Sequence, residues 1–128
     1  MSTTKTTGPT ILLVDDHDGF RSSLRGMFEA CGYQVVEALN GREAIEVTSS
    51  KCPDIIVMDL NMPVMDGLNA ARQIRKAEGR CQKTPILAIS GSGSEMREVA
   101  LQAGCTDYFG KNEAARLIMV VEHMLHNR

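Results

Sequence analysis

Several features that would assign a chain to a class at once are missing from this sequence. No apolar run among its 128 residues approaches the length that spans a bilayer, and the polar start does not resemble a signal peptide, so no membrane association is expected. The formal net charge of -2 gives no electrostatic reason to bind nucleic acid. With no internal repeat or low-complexity linker, we expect one domain at residues 10–128 behind a flexible tail at residues 1–9.

Cysteine is sparse and is not spaced as in metal sites. The four cysteines contain no CxxC pair; they are Cys31, Cys52, Cys81 and Cys105. Most of them lie beside apolar or turn positions. We therefore predict reduced, structural thiols in a cytoplasmic protein.

Short apolar runs alternate with segments of helical periodicity. The runs predict five strands, at residues 11–14, 33–38, 54–58, 85–89 and 106–109. The helical patterns lie at residues 20–31, 41–50, 68–74, 96–103 and 117–124. Five successive β–α units predict an α/β fold with a parallel sheet and helices on both faces.

The third predicted strand ends on a carboxylate, Asp59. Pro63 and the Asp66–Gly67 pair then require a loop before a helix begins. An aspartate in such a place most often caps a helix, but Asp66 is better placed to cap the helix that starts near Gly67. Asp59 is therefore left for a chemical role at the strand ends, where open α/β sheets bind their ligands.

Other polar side chains also follow strand ends, and a parallel sheet brings those ends to one edge. They are Asp15, Asp16, Ser90 and Lys111. Three carboxylates held together repel one another, and Mg²⁺, which accepts oxygen ligands, relieves that repulsion. A carboxylate can also attack phosphorus, with a lysine and a hydroxyl stabilising the phosphoryl oxygens.

These motifs resemble the receiver domain of bacterial two-component response regulators. The resemblance covers roughly residues 10–125, and it rests on four motifs in order, at residues 11–16, 53–67, 86–91 and 103–111. It implies a flavodoxin-like fold with strand order 2-1-3-4-5. The implied function is that of a stand-alone, chemotaxis-receiver-like switch or of a domain cut from a larger regulator or hybrid kinase.

The resemblance also implies a role for each site residue. Asp59 would be the phosphoacceptor, and Lys111 the active-site lysine. Magnesium would be held by four groups, namely Asp15 (mainly through water), Asp16, Asp59 and the backbone carbonyl of Asn61. Ser90 and Tyr108 match the switch hydroxyl and the switch aromatic of the family.

The implied partners are proteins. A sensor histidine kinase or a histidine phosphotransfer protein would supply the phosphoryl group, and the domain would only assist its own phosphorylation and dephosphorylation rather than act as an enzyme. A downstream protein would bind the fourth helix, the fifth strand and the last helix. Neither nucleic acid nor membrane is expected as a direct partner.

Each site residue also has an ordinary structural interpretation. Asp15 and Asp16 are compatible with a solvated turn, Lys111 with a surface lysine, and Tyr108 with a packed aromatic of an edge strand. His17 is interpreted as a surface residue, because the carboxylates and a metal already account for the site. Ser90 also suits a flexible Gly/Ser loop.

The sequence departs from the family pattern in two places. Asn112 stands after Lys111 where the family usually has proline in a cis peptide, so we expect a trans bond there. Ser92 and Asn61 lie two residues beyond Ser90 and Asp59, and neither is large enough to screen an acyl phosphate well from water.

Two other classes of protein are alternatives. A haloacid-dehalogenase-like phosphatase needs a second acid two residues after its aspartate, where this chain has Asn61. A flavodoxin-type FMN carrier needs a phosphate loop rich in hydroxyls and glycine after the first strand, where acids stand instead. Both alternatives fit the sequence less well.

Overall fold

The computed structural model of the chain describes residues 8–77 and 79–126. Within these residues five strands alternate with five helices. The strands are β1 (Thr10–Val14), β2 (Gln34–Ala38), β3 (Ile55–Asp59), β4 (Ile86–Ser90) and β5 (Asp107–Gly110). The helices are α1 (Asp18–Ala30), α2 (Gly41–Lys51), α3 (Gly67–Lys76), α4 (Met96–Ala103) and α5 (Ala114–His126). Short 3-10 turns, Arg80–Lys83 and Lys111–Glu113, precede β4 and α5.

All strand pairs are parallel, and the strand order is β2-β1-β3-β4-β5. This confirms the predicted flavodoxin-like α/β fold. In the register of the sheet Asp59 lies opposite Ile89, and Ser90 lies opposite Gly110. The last residues of the three strands β3, β4 and β5 therefore lie close together at the carboxyl-end edge of the sheet.

Hydrophobic cores cover both faces of the sheet because the central strands β1, β3 and β4 are apolar at all positions but one each. One core packs α2, α3 and α4 against the first face, and the other packs α1 and α5 against the second. The alternation of strand side chains divides β1 between them, since Leu12 belongs to the first core and Leu13 to the second. Because these strands are buried on both sides, their ends are held in fixed positions.

The start of α3 is built on the backbone that follows Asp59. The Asp66 side chain accepts a hydrogen bond from the Asn69 N–H at 2.9 Å, which confirms the predicted cap. Gly67 opens the helix, and a Cβ there would overlap the backbone carbonyl of Asp59. Glycine at this position therefore lets α3 begin in direct contact with the end of β3.

The opposite, amino-end edge of the sheet is held by Arg75 of α3. Its Nε donates to the carbonyl of Gly104 at 2.9 Å, and its Nη1 donates to the carbonyls of Gln82 and Thr84 at 2.8 and 2.7 Å. Burial lowers the pKa of this guanidinium. One side chain thus joins α3 to the segment before β4 and to the segment before β5.

The prediction of four reduced cysteines is wrong for one pair. Cys52 and Cys81 form a disulfide, with 5.4 Å between their Cα atoms, whereas Cys31 and Cys105 are free. Cys52 ends α2 and Cys81 lies in the turn after α3, and these helices pack side by side on one face of the sheet. Spacing along the sequence does not show this proximity. The argument from reduced thiols for a cytoplasmic protein no longer stands, and that location stays a prediction.

The ends of the chain are described only in part. Residues 1–7 of the predicted flexible tail lie outside the described residues. Next to them, Gln34 of β2 donates its backbone N–H to the Pro9 carbonyl at 2.9 Å and its side-chain amide to the Gly8 carbonyl at 3.0 Å. In residues 8–77 and 79–126, no helix combines the length and the apolar character needed to cross a bilayer.

Candidate functional site

Two buried aspartates form the centre of the site. Asp59 ends β3 and Asp15 directly follows β1, and each is only 1% exposed. The Oδ1 atom of Asp15 accepts from the His17 N–H at 2.8 Å, and that of Asp59 accepts from the Asn61 N–H at 3.2 Å. The Oδ2 atom of each carboxylate is buried and receives no hydrogen bond from the described residues, and its charged neighbour is the ammonium of Lys111. The site therefore holds two buried carboxylate oxygens that share the charge of one lysine.

Burial determines the electrostatics of Asp59. Loss of solvation raises the pKa of its carboxyl, the N–H of Asn61 opposes this, and the nearby charge of Asp15 adds to the rise. Solvent hardly reaches this carboxyl group, so its negative charge is poorly solvated. A cation that enters the site would stabilise that charge.

Lys111 supplies positive charge to both carboxylates. Its Nζ lies 3.3 Å from Asp15 Oδ2 and 3.5 Å from Asp59 Oδ2. The same ammonium lies 4.8 Å from the centre of the Phe20 ring, within the range of a cation–π contact. The peptide between Lys111 and Asn112 is trans, as predicted, and the lysine reaches the site in this conformation. The predicted convergence of Asp15, Asp59 and Lys111 is confirmed.

The residues present fit a divalent cation. Asp15, Asp16, His17 and Asp59 each offer one ligand atom, and these atoms all lie within 4.8 Å of one another. The Oδ2 atoms of Asp15 and Asp59 support a cation site, because they are buried and the single positive charge of Lys111 offsets only one of the two negative charges. Asn61 lines the same cavity. The predicted role of its backbone carbonyl as a ligand stays a prediction.

Ser90 lies at the end of β4 and is fully buried. Its Oγ accepts from the Ser92 N–H at 3.0 Å, and the Asn61 side-chain amide lies 3.5 Å away. The hydroxyl is therefore linked to the residue two beyond Asp59 on one side and to the loop before α4 on the other. The structure thus brings Ser90 to the edge of the site, as predicted.

Tyr108 lies in β5 and is buried, at 5% exposure. Its hydroxyl donates to the backbone carbonyls of Ser92 and Gly93, at 3.1 and 2.8 Å. The ring therefore already packs inside the molecule, beneath the loop that follows Ser90. An inward turn of the ring is not needed to join Tyr108 to this loop.

A cavity of about 610 Å³ opens onto Asp59. Asp59 and Lys111 lie within its lining; the other lining residues are His17, Asp18, Gly19, Phe20, Asn61 and Gly91. On the loop after β3, Val64 adopts a positive φ of 69° and is 78% exposed. A β-branched residue in this conformation is strained, and such strain concentrates at functional sites.

Sequence reasoning missed two supporting residues. Arg21 of α1 donates from Nη1 to the backbone carbonyl of Asp15 at 2.8 Å and from Nε to Glu37 at 2.5 Å. The exposed imidazole of His17 lies with its Nδ1 3.3 Å from both Asp15 Oδ1 and Lys111 Nζ, and 3.4 Å from Asp16 Oδ1. The position of His17 directly after two acids was the available signal.

Comparison with known proteins gives one consistent result. The family model described as the response regulator receiver domain matches residues 11–122. Transcriptional regulatory protein PrrA of Mycobacterium tuberculosis is 33% identical over 127 residues, which are 98% of this chain and 53% of that protein. Hybrid signal transduction histidine kinase G of Dictyostelium discoideum is 42% identical over 105 residues, 79% of this chain and 3% of that protein.

Solved structures agree with this result. The receiver domain of sensor histidine kinase PA1611 from Pseudomonas aeruginosa, with a magnesium ion coordinated in the active site cleft, has a TM-score of 0.84 and 32% identity. That similarity covers 94% of this chain and 99% of the other. A two-component response regulator of the LuxR family from Aurantimonas has a TM-score of 0.83 and 36% identity, over 95% of this chain and 88% of that one.

The chain spans only part of the curated relatives it matches, about half of the transcriptional regulators and far less of the hybrid kinase. Some of these relatives are transcriptional regulators. The prediction that nucleic acid is not a partner therefore rests only on the charge of this domain and does not extend to longer proteins that contain such a domain.

Proposed function

We propose, because this chain belongs to the response regulator receiver domain family, that Asp59 is the phosphoryl-accepting residue of a two-component signalling switch. Domains of this family are phosphoacceptors that work with histidine kinases. The observation that carries the assignment to Asp59 is its Oδ2 atom, which is buried beside Asp15, receives no hydrogen bond and forms an ion pair with Lys111 at 3.5 Å. Asp16 is more exposed, with a side chain 32% accessible.

The proposed reaction transfers a phosphoryl group from a phosphohistidine to Asp59. An Oδ atom of Asp59 forms the new P–O bond, the P–N bond of the donor breaks, and its electron pair returns to the leaving imidazole. Lys111 neutralises charge on the phosphoryl oxygens, and Ser90 donates a hydrogen bond to one of them. The cavity in front of Asp59 gives the donor access.

Magnesium would be held in this proposal by Asp15, Asp16, Asp59 and the Asn61 carbonyl. When bound, it would offset the repulsion between the carboxylates and neutralise charge on the phosphoryl oxygens. Lys111 alone offsets only one of the negative charges. The domain would thus assist its own phosphorylation. It would also assist its own dephosphorylation, because Asn61 and Ser92 would shield the acyl phosphate poorly from water.

The proposed switch runs from Ser90 to Tyr108 through the loop before α4. When Ser90 turns to a phosphoryl oxygen, the hydrogen bond from the Ser92 N–H to its Oγ is lost. The Tyr108 hydroxyl donates a hydrogen bond to the carbonyl of the same Ser92, so a movement of Ser92 would be transmitted to β5. The output surface would be formed by α4, β5 and α5, which bind a downstream protein.

The test of the phosphoacceptor is mass spectrometry after incubation with acetyl phosphate and Mg²⁺. We expect one phosphoryl group on the wild type and none on the Asp59→Asn variant. Asp66→Asn is a matched control, since Asp66 only caps α3. A phosphoryl group that persists on Asp59→Asn would overturn the assignment.

The test of the switch uses beryllofluoride, a mimic of the phosphoryl group, and NMR shifts of α4. Ser90→Ala should still accept phosphate at Asp59, but its α4 shifts should be smaller than those of the wild type. Ser94→Ala, a serine of the same loop, serves as the control. Equal shifts in wild type and Ser90→Ala would remove Ser90 from the switch.

A further inference from the structure

The disulfide between Cys52 and Cys81 lies near the surface of the protein. Both cysteines are half-buried, and both line a second cavity of about 340 Å³, which lies between α2 and the end of α3 with the turn that follows it. Exposed disulfides are the ones that thiols reach and reduce, whereas enclosed ones resist reduction. This bond is therefore placed where a thiol compound can approach it.

The second cavity has the size and the lining of a small-molecule site. Its volume lies at the lower end of the range of ligand pockets, which is about 300–1,000 Å³. Apolar and polar residues line it together, among them Ile45, Ile74, Ser49, Ser50 and Gln82. Such a lining offers both apolar contact and hydrogen-bond partners. The cavity therefore suits a small thiol compound with amide or hydroxyl groups better than the surface of a folded thiol protein.

Backbone contacts hold the two cysteines near each other independently of the bond. Thr84 Oγ1 donates to the carbonyl of Pro53, which directly follows Cys52, at 3.5 Å. The Thr84 N–H donates to the Cys81 carbonyl at 3.2 Å, and Arg75 Nη1 donates to the Thr84 carbonyl at 2.7 Å. These hydrogen bonds do not involve the sulfur atoms. The cysteines should therefore stay close together after reduction, so that the bond can form again.

The two free cysteines are poor competitors in thiol chemistry. Burial raises the pKa of the Cys105 thiol to about 11. Burial and then the neighbouring Glu122 raise the pKa of Cys31. Because the thiolate is the reactive form, both residues are mostly protonated and unreactive at neutral pH. Among the cysteines of the chain, the sulfur open to exchange is that of the Cys52–Cys81 bond.

We propose that the Cys52–Cys81 bond is a site of reversible thiol–disulfide exchange with a small-molecule thiol that enters the second cavity. The thiolate of this compound bonds to one cysteine sulfur, the Cys52–Cys81 bond breaks, and its electron pair goes to the other sulfur, which takes up the proton of the thiol. A second molecule of the compound then attacks the mixed disulfide and leaves with the first as their disulfide. The protein gains two electrons and two protons, and two thiols are oxidised.

This exchange goes beyond the proposed function, because the bond and Asp59 lie at opposite edges of the sheet. Cys52 precedes β3 and Cys81 precedes β4, whereas Asp59 ends β3. Reduction would free the end of α2 from the turn after α3 and leave the carboxylates in place. The reduced and oxidised proteins should therefore differ in their resistance to denaturant and agree in the phosphorylation of Asp59.

The test is reduction of the folded full chain with reduced glutathione, followed by alkylation of free thiols and measurement of the intact mass. A Cys31→Ser background removes the exposed free thiol. We expect Cys52 and Cys81 to become alkylated in native buffer, a mixed disulfide with glutathione to form transiently, and oxidised glutathione to restore the bond. Reduction that takes place only when denaturant unfolds the protein would overturn the proposal.

Two neighbouring substitutions test entry through the second cavity. Ala77 lines this cavity, whereas Lys76, the last residue of α3, is exposed and is not among the lining residues. Ala77→Trp should slow the reduction by glutathione severalfold, and Lys76→Trp should leave its rate unchanged. Equal rates in both variants and the parent would overturn entry through the cavity. So would rates that follow the denaturation midpoints of the variants, because the bond would then open by unfolding.

These measurements are separate from the test of the phosphoacceptor. If the bond cannot be reduced in the folded protein, the mass measurement on Asp59 is unaffected. If Asp59 fails to accept a phosphoryl group, alkylation of Cys52 and Cys81 after native reduction still supports the exchange.

Discussion

The polar groups at the two edges of the sheet differ in how well they are hydrogen-bonded. At the amino-end edge Arg75 donates to three backbone carbonyls, and a disulfide joins the end of α2 to the turn after α3. At the carboxyl-end edge two buried aspartates share one lysine, and their Oδ2 atoms receive no hydrogen bond. The first arrangement stabilises the fold, whereas the second costs stability and leaves groups available for chemistry. The difference predicts opposite effects of mutation at the two edges.

The largest expected effect comes from removing the disulfide. A cross-link between residues 29 apart in sequence should contribute about 3–4 kcal/mol to the free energy of unfolding, because it restricts the unfolded chain. The Cys52→Ser/Cys81→Ser double variant should lose that amount in chemical denaturation, and Cys31→Ser should not. Phosphorylation of the folded double variant should be unchanged. A double variant as stable as the wild type would contradict a structural role for this bond.

Arg75→Met tests the same edge without touching the disulfide. Three carbonyls would lose a charged donor, so the free energy of unfolding should fall by about 2–3 kcal/mol. Arg72→Met on the same helix is the control. Arg72 is exposed and donates a hydrogen bond to Asn69 at 3.3 Å, so this change should alter stability by less than about 0.5 kcal/mol. Equal effects of the two substitutions would mean that the buried contacts of Arg75 contribute no more than a surface pair.

At the other edge Asp59→Asn should stabilise the protein. Burial raises the pKa of Asp59, the Asn61 N–H opposes this rise, Asp15 adds to it and Lys111 opposes it. The net change is upward, so the charged form is disfavoured in the fold. A neutral side chain of the same shape should increase the free energy of unfolding by about 1–2 kcal/mol in metal-free buffer. Addition of Mg²⁺ should then stabilise the wild type and not the variant. A less stable Asp59→Asn would contradict the difference between the edges.

The smallest effect concerns Glu37, whose pKa is lowered by hydrogen bonds from Arg25 and Arg21. Because the folded pKa lies below the unfolded one, this carboxylate stabilises the protein above the unfolded pKa, and the contribution is lost as pH falls through the folded pKa. Glu37→Gln should cost about 1 kcal/mol at neutral pH, and the cost should shrink as pH falls through the folded pKa. Denaturation curves over a series of acidic pH values check this. A cost that does not change with pH would contradict the charge-based account.

The sequence was sufficient to predict the features that depend on the residue at which an apolar strand ends. Asp59, Ser90 and Lys111 were predicted to converge because parallel strands share an edge, and Asp66 was predicted to cap α3 because it stands before Gly67. These inferences need only the order of elements along the chain. The strand order itself came from resemblance to the receiver family.

The features that were not predicted depend on distances between helices, strands and turns. The order of these elements along the chain does not determine those distances. The Cys52–Cys81 bond requires the end of α2 to lie against the turn after α3. The sequence left open whether Tyr108 is a switch residue or a packed aromatic, and the structure shows its ring buried. His17 is exposed as predicted, but the direction of its Nδ1 depends on the turn between β1 and α1.

The position of Lys111 near the end of the chain has a consequence for folding. Asp15 and Asp59 come together as soon as β1 pairs with β3, whereas Lys111 arrives only after β5 has joined the sheet at its far edge. During synthesis from the amino terminus, the first three strands therefore bring two acids together before the lysine exists. Until β5 docks, the repulsion between the two carboxylates should destabilise the pairing of β1 with β3. Mg²⁺ should therefore accelerate refolding, and the acceleration should be largest when Lys111 is replaced.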